Sequence, residues 1–196
     1  MNPDAAALGA IALSYVLGSI PTGLWLGRAF RGVDIREHGS KNIGATNTMR
    51  VLGKGLGAVA LNGDMAKGVV PVLIFARATE WPHAPLACGL AAILGHTLSI
   101  FLSFRGGKGV ATSAGVFLAL APLAAFAAAV VFGIVVGTTR MVSAGSILAA
   151  ATLTAAVWVL PHDFPLRIIA TLVAALVIVR HRTNIRRIKD GLESRI

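Results

Sequence analysis

One cysteine, Cys88, stands in the 196 residues, which excludes an intrachain disulfide and a thiolate metal centre. Histidine pairs at ligand spacing are missing too. His96 belongs to no His-x-x-x-His or His-x-x-Glu-His arrangement, so no protein metal site is expected and His96 reads as a hydrogen-bonded packing residue. Charge is scarce, at 13% of residues against 56% apolar, and such a chain has too little polar surface to cover a soluble globule. There is no Gly-x-Ser-x-Gly elbow and no His followed by Asp five residues on, which leaves an acyl-enzyme triad unsupported. The first apolar segment follows Asp4 rather than a basic run and has no small-x-small cleavage pattern before Arg28, so it reads as an uncleaved span.

What the chain does have is long apolar windows, near residues 5–26, 56–76, 85–104, 110–139, 142–160 and 166–179. A crossing helix needs roughly 20 apolar residues. The fourth window exceeds one span and is short for two, with Pro122 marking a turn near its middle. Charge decides between the two counts. If that window crosses twice, the basic residues of 28–54, Arg105, Lys108, Arg140 and the tail from Arg180 all fall on one side, leaving Arg77 and Arg167 opposite. The positive-inside rule then predicts a single all-α, polytopic domain over 1–196 with seven transmembrane helices, a periplasmic N-terminus and a cytoplasmic C-terminus. The net charge of +10 is explained by this topology, and no nucleic-acid partner is expected.

Three polar segments interrupt the apolar pattern, and the predicted topology puts all of them on the cytoplasmic side. In residues 34–50, Gly39, Gly44 and Gly53 permit close backbone approach, Ser40, Asn42, Thr46 and Asn47 carry groups that bind oxygen, and Arg50 adds a planar fork suited to phosphate or carboxylate. A solvated loop with helix caps explains the same composition equally well. Gly106-Gly-Lys-Gly109 is not a Walker motif, since Gly109 follows Lys108 and Leu102 occupies the position of the first glycine. Glycines before a helix still turn amides toward an anion, and Lys108 adds positive potential. In the tail, His181 and Asn184 are three residues apart on one helix face and offer a titratable nitrogen and an amide, whereas the neighbouring arginines read as topological anchors. Asp64 and Lys67, three apart inside the second span, predict a buried ion pair.

Taken together, Gly39-Ser-x-Asn-x-Gly-Ala-Thr-Asn47 through Arg50, Gly106-Gly-Lys-Gly-Val-Ala-Thr112 and Arg180-His-x-x-Asn-Ile-x-Arg187, with Ser19-Ile-Pro21 and Asp64-Met-Ala-Lys-Gly68, resemble the bacterial acyl-phosphate:glycerol-3-phosphate acyltransferases of the PlsY family over nearly the whole chain. The resemblance implies a multi-pass enzyme of the bacterial inner membrane with its active site facing the cytoplasm. It would move a fatty acyl group from a long-chain acyl phosphate to the sn-1 hydroxyl of glycerol 3-phosphate, giving lysophosphatidic acid and phosphate for phospholipid synthesis. It implies no cofactor, and a functional link to the enzyme that makes acyl phosphate. By resemblance Ser40, Arg50, Lys108, His181 and Asn184 form the catalytic set, and Asn42, Gly44, Thr46, Asn47, Gly106 and Gly107 bind substrate phosphate. In that reading the amides around Gly106 and Gly107 meet donor phosphate or carbonyl oxygen, and either His181 or the donor's own phosphate takes the acceptor proton. Two positions depart from the pattern: Leu98-Ser99 stands in place of Phe-Pro, and Arg105 in place of Lys.

Two other functions fit parts of the pattern. An organic-anion transporter would hold glycines and cations near the membrane midplane, whereas these clusters lie at one face. A purely structural membrane subunit gives no reason for three anion-binding segments.

Overall fold

Proline 21 cannot donate the hydrogen bond that would carry the first helix onward, and the helix breaks there. In the computed structural model, which describes residues 3–196 but not the side chains of Pro3 and Asp4, α1 runs Pro3–Ser19 and α2 runs Thr22–Arg31, bent by 45°. The single apolar window at 5–26 is thus two helices. Among the described residues the elements that follow are all helical: α3 (Ala45–Leu52), α4 (Lys54–Leu73), α5 (Ala84–Thr97), α6 (Val110–Leu120), α7 (Pro122–Thr139), α8 (Val142–Val159), α9 (Phe164–Arg180) and α10 (Arg182–Lys189). Short 3-10 turns at Phe75–Ala78 and Ile100–Leu102 follow α4 and α5. The window at 110–139 splits at Ala121, next to Pro122, where the sequence places a turn.

Among the described residues four helical stretches are long and apolar enough to cross a membrane: α4 with its 3-10 turn, α5 with its turn, α7 and α8. The number rises to six if α1/α2 and α9/α10, the latter bent by 57°, each count as one broken span. Helix α6 has 11 residues. At about 1.5 Å per residue it is about 16 Å long, roughly half the hydrocarbon core.

The chain divides into two compact units, Met1–Leu120 and Ala121–Ile196. In the first, helices meet through glycines. A Cβ on Gly18 would collide with the Ala92 carbonyl, and one on Gly95 with the Tyr15 carbonyl, so α1 and α5 touch backbone to backbone. The α4–α6 pair repeats this, with Gly68 against the Thr112 carbonyl and Gly115 against the Met65 carbonyl. Close approach of this kind replaces the hydrophobic driving force that lipid removes. Loose ends are tied by side chains: Tyr15 Oη donates to the Leu98 carbonyl (2.5 Å) and Ser99 Oγ to the Ser19 carbonyl (2.5 Å). Helix α5 therefore ends at Thr97 without a proline at position 99.

In the second unit α7 and α8 form a hairpin through Arg140, whose φ of 60° turns the chain. Helix α8 meets α9 through Trp158 Nε1, which donates to Thr171 Oγ1 (3.0 Å), and Thr154 Oγ1, which donates to the Ala170 carbonyl (3.4 Å). Arg167 lies over the Trp158 ring at 5.7 Å.

Replacing Gly115 with Ala should destabilise the α4–α6 contact by about 1–3 kcal/mol, because the added methyl meets backbone that cannot swing away. Gly133→Ala in α7, where a Cβ meets nothing within 4 Å, is expected to be neutral. Thermal unfolding of the two variants in detergent separates these outcomes.

Candidate functional site

The polar segment is a loop over 32–44 that leads into α3 and is organised from inside by one amide. Asn47, 1% exposed in α3, accepts from the Ser40 amide through Oδ1 (2.8 Å) and donates through Nδ2 to the carbonyls of Ile35 (2.8 Å), Asn42 (2.8 Å) and His38 (3.2 Å). Gly39 has φ +57°, and a Cβ there would strike Asn47 Oδ1, so both conformation and space call for glycine. Asn42 Oδ1 accepts from the Gly44 amide (2.9 Å), and Thr48 Oγ1 donates to the Gly44 carbonyl (3.2 Å), which sets the start of α3. Both ends of the Asn47 side chain are thus engaged in shaping the loop in which the phosphate contact is expected. Thr46 sits half-buried in the first turn of α3, Ser40 half-buried at the loop's end, and Arg50 exposed in the last turn.

A second anchor lies at the loop's entrance. Asp34 accepts from the backbone amide of Arg36 (3.0 Å), from Arg36 Nη2 (2.6 Å) and from Arg28 Nη2 (3.0 Å). The Arg36 guanidinium, aided by the Arg36 amide and by Arg28, holds the Asp34 carboxyl well below its ordinary value of 3.8 against the opposing pull of partial burial. Underneath, Ile35 and Ile43 pack with Leu24, Leu52 and Leu102, which joins this loop to the segment leading into the glycine loop.

In the glycine loop the Gly106 amide donates to the Thr97 carbonyl (3.1 Å) and the Gly107 amide to the His96 carbonyl (3.0 Å). These amides, expected to meet donor phosphate or carbonyl oxygen, thus also close the end of α5. The two glycines are required for space. A Cβ at 106 would collide with the His96 carbonyl and one at 107 with His96 Nε2. The loop then delivers Lys108, half-buried, to the start of α6 through Gly109, whose φ is +81°. Two buried hydroxyls in the first turn of α6, Thr112 Oγ1 and Ser113 Oγ, make no hydrogen bond within the protein and supply donors beside this loop. Sequence reasoning missed Ser113, which nothing in its spacing distinguishes.

In the second unit His181 stands at the bend between α9 and α10, 2% exposed, with Nδ1 2.8 Å from the Val177 carbonyl. A carbonyl only accepts, so Nδ1 carries the proton of the neutral ring and the lone pair resides on Nε2. Asn184 Nδ2 donates to Glu193 Oε1 (2.6 Å), which also accepts from Ser143 Oγ (2.8 Å), while Glu193 Oε2 lies 3.1 Å from Arg187 Nε. Glu193 and Ser143 were not predicted. The one signal was an acid downstream of a basic helix. No group of three or more His, Cys, Asp or Glu able to hold a metal ion occurs among the described residues.

Residues 8–191 match the glycerol-3-phosphate acyltransferase family. A glycerol-3-phosphate acyltransferase of Trichlorobacter lovleyi is 48% identical over 97% of this chain and 97% of its own length. Another, from Geobacter sulfurreducens, is 52% identical over 94% of both. Among solved structures, the glycerol 3-phosphate form of PlsY (YgiH), an integral membrane glycerol 3-phosphate acyltransferase, superposes with a TM-score of 0.92 at 37% identity, covering 97% of this chain and 95% of that one. The lysophosphatidic acid form of PlsY gives a TM-score of 0.89.

Two tests follow from the loop. Asn47→Ala strands one buried amide and three carbonyls and should cost about 1–3 kcal/mol for each group left without a partner, read as a lower unfolding temperature with new proteolytic cleavage within 32–44. For Asp34, whose carboxyl is lowered in the folded protein, the ion pair contributes fully above the ordinary value of 3.8, and the contribution is lost as pH falls below it toward the native value. The stability difference between wild type and Asp34→Asn should therefore stay constant above that pH and shrink below it.

Proposed function

The chain belongs to the glycerol-3-phosphate acyltransferase family, and from that premise we propose that it takes its acyl group from acyl phosphate and delivers it to the sn-1 hydroxyl of glycerol 3-phosphate. The products are lysophosphatidic acid and inorganic phosphate. Acyltransfer to glycerol 3-phosphate is the family's reaction and feeds phospholipid synthesis. The donor, the regiochemistry, an inner-membrane location with seven spans, a periplasmic N-terminus and a cytoplasmic site, and a single working domain over 1–196 are the finer parts of the proposal.

An acyl phosphate is a mixed anhydride, so it needs no nucleophile from the protein. The acceptor oxygen attacks the carbonyl carbon, the carbon–oxygen bond to phosphate breaks, and the hydroxyl proton passes to a base while phosphate leaves. Alignment in favourable cases supplies roughly 7–11 kcal/mol. Ser40 donates to donor phosphate or carbonyl oxygen, Arg50 and Lys108 neutralise phosphate charge, and Asn184, its amide tied to Glu193, orients substrate. Asn42, Gly44, Thr46 and Asn47 of the polar loop and Gly106 and Gly107 of the glycine loop form the phosphate-binding segments, Asn47 by holding its loop in shape and the two glycines by leaving the space the Lys108 loop needs.

The observation that best supports the mechanism is the hydrogen bond from His181 Nδ1–H to the Val177 carbonyl (2.8 Å). It gives Nε2 the lone pair that a general base requires. The donor's own phosphate is the competing base.

Ser40→Ala, Lys108→Ala and His181→Ala should each insert and fold but turn over about 100- to 1000-fold more slowly, the usual cost of losing one transition-state donor or base. The deciding assay follows phosphate release from palmitoyl phosphate with and without glycerol 3-phosphate, with lysophosphatidic acid measured by mass. Acceptor-dependent release matched by product supports the reading. Uptake of glycerol 3-phosphate into proteoliposomes without product would instead make the protein a transporter.

A further inference from the structure

Three ionisable or titratable side chains of the first unit lie inside the spans and take no direct part in the proposed chemistry. Asp64 and Lys67, on one face of α4, form an ion pair with Oδ1 and Nζ 2.7 Å apart, their side chains only 2% and 5% exposed. Lys67 Nζ also donates to the Ile20 carbonyl (2.6 Å), which at the α1–α2 break takes the Thr22 amide as well (3.0 Å), and lies 3.4 Å from His96 Nδ1. An ammonium has three donors and no acceptor, and here it faces three acceptors from three parts of the chain. His96 Nδ1 must therefore accept, which puts the ring proton on Nε2. That edge of the ring is the one a Cβ at Gly107 would strike, and the backbone of the same histidine accepts the Gly107 amide.

We propose that Asp64, Lys67 and His96 form a positioning unit for the acyltransfer reaction: Lys67 fixes the His96 ring, and the ring, lodged against Gly107, sets where the Gly106–Lys108 backbone and its cation stand. The inference rests on the assignment of Lys108 to phosphate binding. The charges are costly where they are, since ionisable groups within a span are rare and normally serve a site. A pair that only joined α4 to α1 would not need His96, and a histidine that only filled space would not need its Nδ1 aimed at an ammonium. The Gly-Gly dipeptide has its explanation in the same unit, because the imidazole occupies the volume that any other residue at 107 would need.

His96→Leu tests the unit while leaving Asp64 and Lys67 paired. Expected is a fall in kcat of about 100-fold, the penalty for a displacement of order 1 Å, with KM for glycerol 3-phosphate changed by less than about threefold. Hydrogen–deuterium exchange should rise about tenfold at the Gly106 and Gly107 amides and stay unchanged in the body of α4. His96→Gln, which keeps an N–H near the position of Nε2, should recover about a tenth or more of the wild-type kcat. If His96→Leu does not fold, the double variant Asp64→Asn/Lys67→Met, which leaves no lone charge buried, carries the test with the same expected readouts. Wild-type kcat together with unchanged exchange at 106 and 107 in a folded variant overturns the proposal. So does a loss confined to the yield of folded protein. Lys108→Ala, assayed alongside, keeps the two readings apart. Full activity there removes the phosphate assignment, and with it the inference, even if exchange at the loop still rises.

Discussion

In a bilayer core a backbone carbonyl has no water to turn to, so a helix that breaks within a span must have its exposed carbonyls met by the protein. The break at Ser19–Pro21 is where this constraint acts most heavily. The Ser19 carbonyl is met by Ser99 from the end of α5, and the Ile20 carbonyl by Lys67 from α4. Neither could be a passive filler. Lys67 needs a counter-charge, which Asp64 provides one helical turn earlier, and Ser99 needs α5 to have stopped at Thr97. One missing N–H, on Pro21, is thus linked to the end of α5, to the body of α4 and to the histidine beneath the glycine loop. The backbone contacts at Gly18, Gly95, Gly68 and Gly115 allow this, because α1 and α5, and α4 and α6, stand close enough for short side chains to reach.

The candidate residues of the two units are held by two kinds of rigidity. Around Ser40 the loop has few apolar residues of its own and is held by one amide with four hydrogen bonds, by the Asp34 ion pairs and by the isoleucines beneath. Around His181 order comes from helices, with the Val177 carbonyl fixing the ring and Glu193 gathering Asn184, Ser143 and Arg187. Preorganised groups, held in place before substrate arrives, are commonly the largest source of electrostatic stabilisation in catalysis.

Much of this was legible from residue type and period. Asp64 and Lys67, three apart in an apolar helix, had to share a face and pair, and they do. Pro122 in an overlong apolar window had to end a helix, and α6 stops two residues before it. What was not legible involves contacts between residues far apart in sequence or roles that composition does not separate. Asn47 looks in sequence like any other amide of the Gly-Ala-Thr-Asn run, and only its burial distinguishes a loop builder from a ligand contact. The amides of Gly106 and Gly107 looked available because the Thr97 and His96 carbonyls that receive them belong to a helix whose end the sequence left uncertain. The break at Pro21 was hidden because apolar residues continue across it. Glu193, nine residues beyond Asn184, follows a helix end that no periodicity crosses.

The position of Glu193 makes the order of the second unit depend on a residue outside its helices. It follows α10, yet it supplies the acceptor for Asn184 in α10 and for Ser143 at the start of α8. A truncation before Glu193 would keep α7, α8, α9 and α10 whole while taking from Asn184 and Ser143 the one carboxylate that ties the two helices together.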